Sequence, residues 1–139
     1  MTPLIDITDE PTETERTALL TGLRAFNQDA VGISMRPLAV WLRDGDGGLL
    51  GGLTGRSGGG WLFVEYFWLP EAQRGRGLGS LLIGSAEQEA AARGCVGVWL
   101  DTFSFQAPDF YRRHGYEVFG EIEDYPAGHR RFFMRKRLA

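Results

Sequence analysis

Cysteine is almost missing from this chain. Cys95 is the single one in 139 residues, so no internal disulfide can form. Histidine is nearly as scarce, with His114 and His129 alone. Two imidazoles and no cysteine pair argue against a structural zinc site, and no metal is expected. Cys95 opens an apolar run and reads as a small buried hydrophobe rather than a nucleophile. Long apolar runs are lacking too. The stretches beginning at Trp61 and Cys95 fall short of the ~20 residues that a spanning helix needs. The first residues are acidic, unlike a signal peptide. A soluble, cytoplasmic protein with no membrane partner is the expectation. A surplus of positive charge is also absent: the net charge of −3 argues against general nucleic-acid binding. No internal repeat occurs, and no glycine cluster is long enough for a domain linker.

What is present suits one domain, residues 1–139. Apolar residues make up 43% of the chain. A chain of this length buries roughly two-thirds of its unfolded surface. Acids crowd the first thirty residues (Asp6, Asp9, Glu10, Glu13, Glu15, Asp29), and bases crowd the end (Arg130, Arg131, Arg135, Lys136, Arg137). Both clusters read as solvated surface.

Periodicity and turn residues order the chain. Leu4-Ile5-Asp6-Ile7 reads as a short strand. Thr12-Glu13-Thr14-Glu15 has capping-box spacing, and Leu19, Leu20, Leu23 and Phe26 recur at helical intervals, which predicts a helix from about Thr12 to Gln28. Ala30 to Pro37 is a connection with no second helix. Leu38–Arg43 and Leu49–Thr54 are strands joined at Asp44-Gly45-Asp46-Gly47-Gly48. The Gly51-Gly52 pair marks a bulge or close packing. Ser57-Gly58-Gly59-Gly60 turns the chain into a third strand, Trp61 to Leu69. After Leu100, a short helix spans Ala107 to His114, with Pro108 in its first turn and Gly115 at its end. Tyr116–Phe119 and Arg131–Lys136 are the last strands, separated by a loop at Asp124–His129. Trp41, Phe63, Trp68, Phe103 and Phe105 are core candidates, some of which could line a pocket. His114 reads as surface or helix-end charge.

The stretch Trp61–Thr102 organises the rest. It runs strand, Pro70-Glu71-Ala72-Gln73, Arg74-Gly75-Arg76-Gly77-Leu78-Gly79, amphipathic helix to about Arg93, Gly94, and a second apolar strand from Cys95. A crossover of that length makes its two strands parallel. The helix N-terminus, approached by glycines and two arginines, is suited to a phosphate. The turn is not a Walker A loop, since no Gly-Lys-Ser/Thr follows, and it lacks the G-x-G-x-x-G spacing of a dinucleotide fold.

The pattern R-x-x-G-x-G, through Arg74, Gly77 and Gly79, resembles the acetyl-CoA signature of the GNAT superfamily of N-acyltransferases. Ala107-Pro108-Asp109-Phe110-Tyr111-Arg112-Arg113-His114-Gly115-Tyr116 is similar to that family's A-x-x-F-Y-x-x-x-G-F/Y segment. Leu100 to Ala107 resembles a small bacterial subgroup whose acceptor is unassigned. The resemblance covers nearly the whole chain, with two motifs in the right order.

The resemblance implies an α/β (α+β) fold. Its sheet is mixed and mostly antiparallel, with two splayed central parallel strands, Trp61–Leu69 and Val96–Thr102, and helices on both faces. It also implies acetyl-CoA as co-substrate. The pantetheine arm would bond to backbone near Phe67 and Leu69. The pyrophosphate would sit on amides of Arg76, Gly77, Leu78 and Gly79, beside Gly75 and Arg74. Ser104 stands where many members carry an asparagine that contacts the CoA arm. Tyr111 holds the position of the family's general acid. Glu65, the single charged residue in its strand, is the candidate base. Asp101 and Thr102 lie where they could line the acceptor pocket. The implied reaction is acetyl transfer to a small-molecule primary amine by direct attack. The alternatives are a CoA-binding module without turnover and a protein or peptide N-acetyltransferase. Many members dimerise, and the terminal strands could pair across such an interface.

Overall fold

The computed structural model describes residues 1–139, which divide into two compact units, Met1–Ser34 and Met35–Ala139. The first unit is built on helix α1, Glu13–Val31. Its start is the predicted capping box. Thr12 Oγ1 accepts from the Glu15 amide at 3.1 Å, and Glu15 Oε1 accepts from the Thr12 amide at 3.0 Å. Gly32 closes the other end in the left-handed region, φ +70°. No residue of α1 is buried, and Leu19, Leu20, Leu23 and Phe26 are all exposed. The strand expected at Leu4–Ile7 does not form: these residues have no regular structure, and Leu4, Ile5 and Ile7 are each 91% exposed. Four residues, mostly apolar, do not hold a strand without a partner to pair with.

The second unit is a six-stranded sheet. Its strands are β1 (Arg36–Arg43), β2 (Leu49–Gly58), β3 (Trp61–Trp68), β4 (Gly97–Phe103), β5 (Glu117–Glu123) and β6 (Arg130–Arg137), in the order β1-β2-β3-β4-β6-β5. All neighbours are antiparallel except β3 and β4. Helix α2 (Leu78–Ala92) makes the crossover between that parallel pair, and α3 (Pro108–Arg113) follows β4. Both helices pack on one face of the sheet. There Leu53, Leu62, Val64, Val98, Leu100 and Met134 meet Ile83, Ala86 and Ala90 of α2 and Tyr111 of α3.

Along β4 the period-two pattern is clean. Val98, Leu100 and Thr102 are buried, whereas Trp99, Asp101 and Phe103 are half-buried and project to the other side. On β3 the pattern breaks. Val64 pairs with Gly55 and Tyr66 with Thr54, which leaves Glu65 as an extra residue with no partner on β2. This is a β-bulge, and it shifts the parity of everything after it. Leu62 and Val64 face the core before it, and Phe67 packs against the core after it, while Tyr66 and Trp68 become exposed. Opposite the bulge, a Cβ at Gly55 would run into the Phe63 carbonyl. A Cβ at Gly51 would lie 2.7 Å from the Trp68 carbonyl oxygen, which bears out close packing there.

Two sequence expectations change in the structure. None of Trp41, Phe63, Trp68, Phe103 and Phe105 enters the core: Trp41, Trp68 and Phe105 are exposed, and Phe63 and Phe103 are half-buried. The basic C-terminal cluster is not simply solvated. On β6, Arg130 pairs with Glu121 and Arg135 with Glu117 across the β5 ladder, and Arg131 pairs with Asp101 of β4. Lys136, the chain's single lysine, donates to Glu87 Oε1 of α2 at 2.7 Å. The other oxygen of Glu87 accepts from the buried Tyr116 hydroxyl at 2.9 Å. Burial and the adjacent Glu87 charge raise the Tyr116 pKa strongly.

Candidate active site

The site begins where the parallel ladder ends. Strands β3 and β4 pair through Trp61–Gly97, Leu62–Val98 and Phe63–Trp99 and no further. Beyond Phe63 they splay, so β3 from Val64 onward has no ladder partner on its β4 side. Backbone groups left open in this way need either water or an added strand-like ligand. Between the diverging strands lies a cleft of about 900 Å³. It is lined by Phe63, Glu65, Phe67 and Leu69 on one side and by Leu100, Asp101, Thr102 and Phe103 on the other, with Arg74, Phe105, Gln106, Tyr111 and Arg131 completing it. A smaller groove of about 270 Å³, on β1–β3 beside Trp41 and Trp68, carries no ionisable group except Tyr66.

Tyr111 is the buried residue of α3, 8% exposed. Its ring is held edge-on by Phe67 at 6.4 Å, Phe110 at 5.3 Å and Tyr116 at 5.9 Å between centroids. Burial, helped by the Asp101 charge, pushes its hydroxyl pKa up to about 12. It therefore stays protonated through neutral and mildly alkaline pH. Glu65 reaches the same cleft because the bulge releases it from the ladder, the use bulges often serve beside active sites. It is 38% exposed and accepts from Arg56 Nη1 at 3.1 Å. The cleft thus brings Tyr111, Glu65, Phe67, Leu69 and Arg74 together.

The glycine turn sits at the head of α2. Gly75 and Gly77 take φ +72° and +76°, and a Cβ at either would meet nothing, so backbone angle rather than crowding calls for glycine. Gly77 is the N-cap and has no side chain to offer. The first helical bond is Leu81 N–H to the Gly77 carbonyl at 3.2 Å, which leaves the Leu78, Gly79 and Ser80 amides without intrahelical partners. Gly79 has a second reason: a Cβ there would press on the Phe110 ring at 3.3 Å. Arg74 donates from Nε to the Leu69 carbonyl at 2.9 Å, and Arg76 donates from Nη1 to Gln73 Oε1 at 2.9 Å.

Two positions behave differently from the sequence expectation. Ser104 does not line the cleft; its Oγ accepts from the Arg130 amide at 3.1 Å and bonds His129 Nδ1 at 3.1 Å. His114 is not free surface charge, since its Nε2 bonds Ser80 Oγ in the first turn of α2 at 3.0 Å. The sequence reading missed Arg131 and Gln106. Gln106 Oε1 accepts from the Phe103 amide at 2.9 Å and fixes the loop that leads to Tyr111. Gln106 lies within the Leu100–Ala107 segment without being singled out there, and Arg131 could have been revealed only by the strand register.

Comparison with known proteins places this geometry. The family model described as "Acetyltransferase (GNAT) family" matches residues 4–116. An acetyltransferase of Agrobacterium fabrum is 35% identical over 136 residues, 97% of each chain. The Blasticidin-S acetyltransferase of Streptomyces morookaense is 41% identical over 120 residues, 84% of this chain and 88% of that one. A crystal structure from Agrobacterium tumefaciens, solved as a candidate acetyltransferase, covers 98% of this chain and 100% of its own at a TM-score of 0.92 and 32% identity. These likenesses extend through the splayed pair and the glycine turn alike, and they make this chain an acyltransferase of the acetyltransferase (GNAT) family.

Proposed function

We propose that the chain moves an acetyl group from acetyl-CoA to the amine of a small molecule, with Tyr111 as general acid and Glu65 as base. The observation that carries this is the convergence of a protonated, buried phenol and a bulge-released carboxylate on the cleft where β3 and β4 part. Support for the small acceptor comes from the relative named for blasticidin S.

The residues present fit the co-substrate. Three unpaired amides at the uncapped head of α2 suit a pyrophosphate, with Arg74 and Arg76 beside them. The open edge of β3 suits an amide-bearing arm. The donor supplies a thioester, whose cleavage releases a thiolate. Glu65 takes the ammonium proton of the acceptor, directly or through one water, so that the nitrogen lone pair is free. Tyr111 holds the proton that the departing thiolate needs.

The first test is thermal unfolding with acetyl-CoA, with ATP and NAD as controls. A ligand at about a hundred times its Kd adds roughly 2.7 kcal/mol, a shift on the order of 5 °C for a chain of this size. Release of CoA is then followed across small amines that include blasticidin S, alongside lysine peptides. Tyr111→Phe should keep the shift and lose turnover. Unchanged turnover in that variant would remove Tyr111 as the acid, and a shift without any turnover would favour a binding module.

A further inference from the structure

The cleft holds one more charged pair, and its two partners are not equally satisfied. Asp101 of β4 and Arg131 of β6 meet on the sheet face away from α2 and α3, diagonal to each other across the ladder. Arg131 is fully engaged. Its Nε and Nη2 reach Asp101 at 2.9 and 2.7 Å, and its Nη1 donates to the Tyr125 hydroxyl at 3.2 Å. The Phe103, Tyr125 and Phe133 rings surround its guanidinium at 5.3, 5.3 and 5.5 Å. Asp101 is engaged on one side only. Both arginine contacts land on Oδ1, which leaves Oδ2 without a protein partner in the wall of the cleft. The side chains are 17% and 27% exposed, so the carboxylate is held rigidly yet reaches the cavity.

Of the other cleft charges, Arg74 bonds the Leu69 carbonyl, and Glu65, which meets Arg56 through Oε2, is the base assigned to the reacting amine. The remaining wall beside Asp101 is aromatic, with Phe103 and Phe105 stacked at 5.2 Å. A carboxylate oxygen that is anchored but unfilled, next to ring faces, suits a cationic group carried on a flat frame.

We propose that Asp101 is a specificity-determining residue that seats a second positive charge of the acceptor, so that the enzyme prefers dicationic amines with an aromatic frame over their monocationic analogues. This deepens the reading of the cleft as an acetyl-acceptor site. It also makes Arg131 a positioning residue, which fixes the aspartate and holds its own charge out of the acceptor's way. The Asp101 charge contributes to the raised pKa of Tyr111, so a cation on Asp101 would also ease release of the Tyr111 proton.

The test uses the full chain and two matched probes, 1,4-bis(aminomethyl)benzene and benzylamine. Binding of each to the wild type and to Asp101→Asn is measured by calorimetry at low salt, with acetyl-CoA thermal shifts recorded on the same samples. The wild type should favour the diamine by about ten- to a hundredfold, the scale of a hydrogen bond to a charged group. Asp101→Asn should weaken the diamine far more than benzylamine and so erase that preference, with the acetyl-CoA shift as the check that the variant folds. In the wild type the preference should also shrink as salt rises, a readout that needs no variant to fold. Equal binding of the two probes by the wild type, or a preference kept in Asp101→Asn, overturns the proposal. Loss of the acetyl-CoA shift in the wild type would instead sink the transferase reading, while the comparison of the two amines still decides this one.

Discussion

The two long helices of this chain are held by opposite means. Helix α1 has its ends closed by its own residues, the Thr12–Glu15 box and the left-handed Gly32, and none of its side chains is buried. Helix α2 has no side-chain cap at its start, and Leu82, Ile83, Ala86 and Ala90 are buried. End chemistry stabilises α1, none of whose residues is buried. Packing stabilises α2 so firmly that its N-terminal amides can be left open. An open helix end is a cost to a helix and an asset to a phosphate site. The molecule accepts that cost where a core can offset it.

Four substitutions would break or sharpen this contrast. The largest effect is expected from Ile83→Ala, which removes a fully buried side chain of α2 and should cost about 2–5 kcal/mol in denaturant unfolding. Next comes Gly77→Asp, which puts a carboxylate at the open head of α2, on a left-handed backbone angle that itself favours glycine. It should lower acetyl-CoA affinity at least ~10-fold, because a carboxylate would occupy the amides and repel phosphate. Titration of acetyl-CoA checks this; unchanged affinity would mean that the head of α2 is not the anion site. Thr12→Ala should cost about 1 kcal/mol of local helix stability, visible as lost ellipticity at low denaturant, with acetyl-CoA binding untouched. The smallest effect belongs to Leu23→Ala, at most ~0.5 kcal/mol, since that side chain is exposed where Ile83 is not. A large loss there would show that the α1 stripe is covered in solution.

Much of the fold was legible because its signals are local. The capping box at Thr12, the turn residues between β1 and β2, and the apolar run of β4 are each written in adjacent residues. The R-x-x-G-x-G turn and the segment around Tyr111 marked both ends of the cleft. Long-range features were not legible. The bulge at Glu65 depends on how β2 and β3 register, and a run such as Trp61–Leu69 looks continuous without that knowledge. Trp68 was misplaced for the same cause: residue identity predicted its burial, and strand parity after Glu65 decided against it. Leu4–Ile7 failed in the other direction, since a short, mostly apolar run does not by itself make a strand. Asp101 was noticed from its place at a strand end. Its partner lies thirty residues away on β6, and nothing in the sequence distinguishes Arg131 from its basic neighbours.

The Lys136–Glu87–Tyr116 cluster has a consequence for an enzyme that acylates amines. Lys136 carries the only side-chain amine in the chain, and its nitrogen is tied to a carboxylate that a buried phenol also holds. To react with its own donor, that amine would have to leave its ion pair and give up its proton, and would leave Glu87 and Tyr116 short of a partner. This lysine is thus poorly suited to be the enzyme's own substrate. Reagents that label lysines will report on the opening of this one cluster rather than on the surface at large.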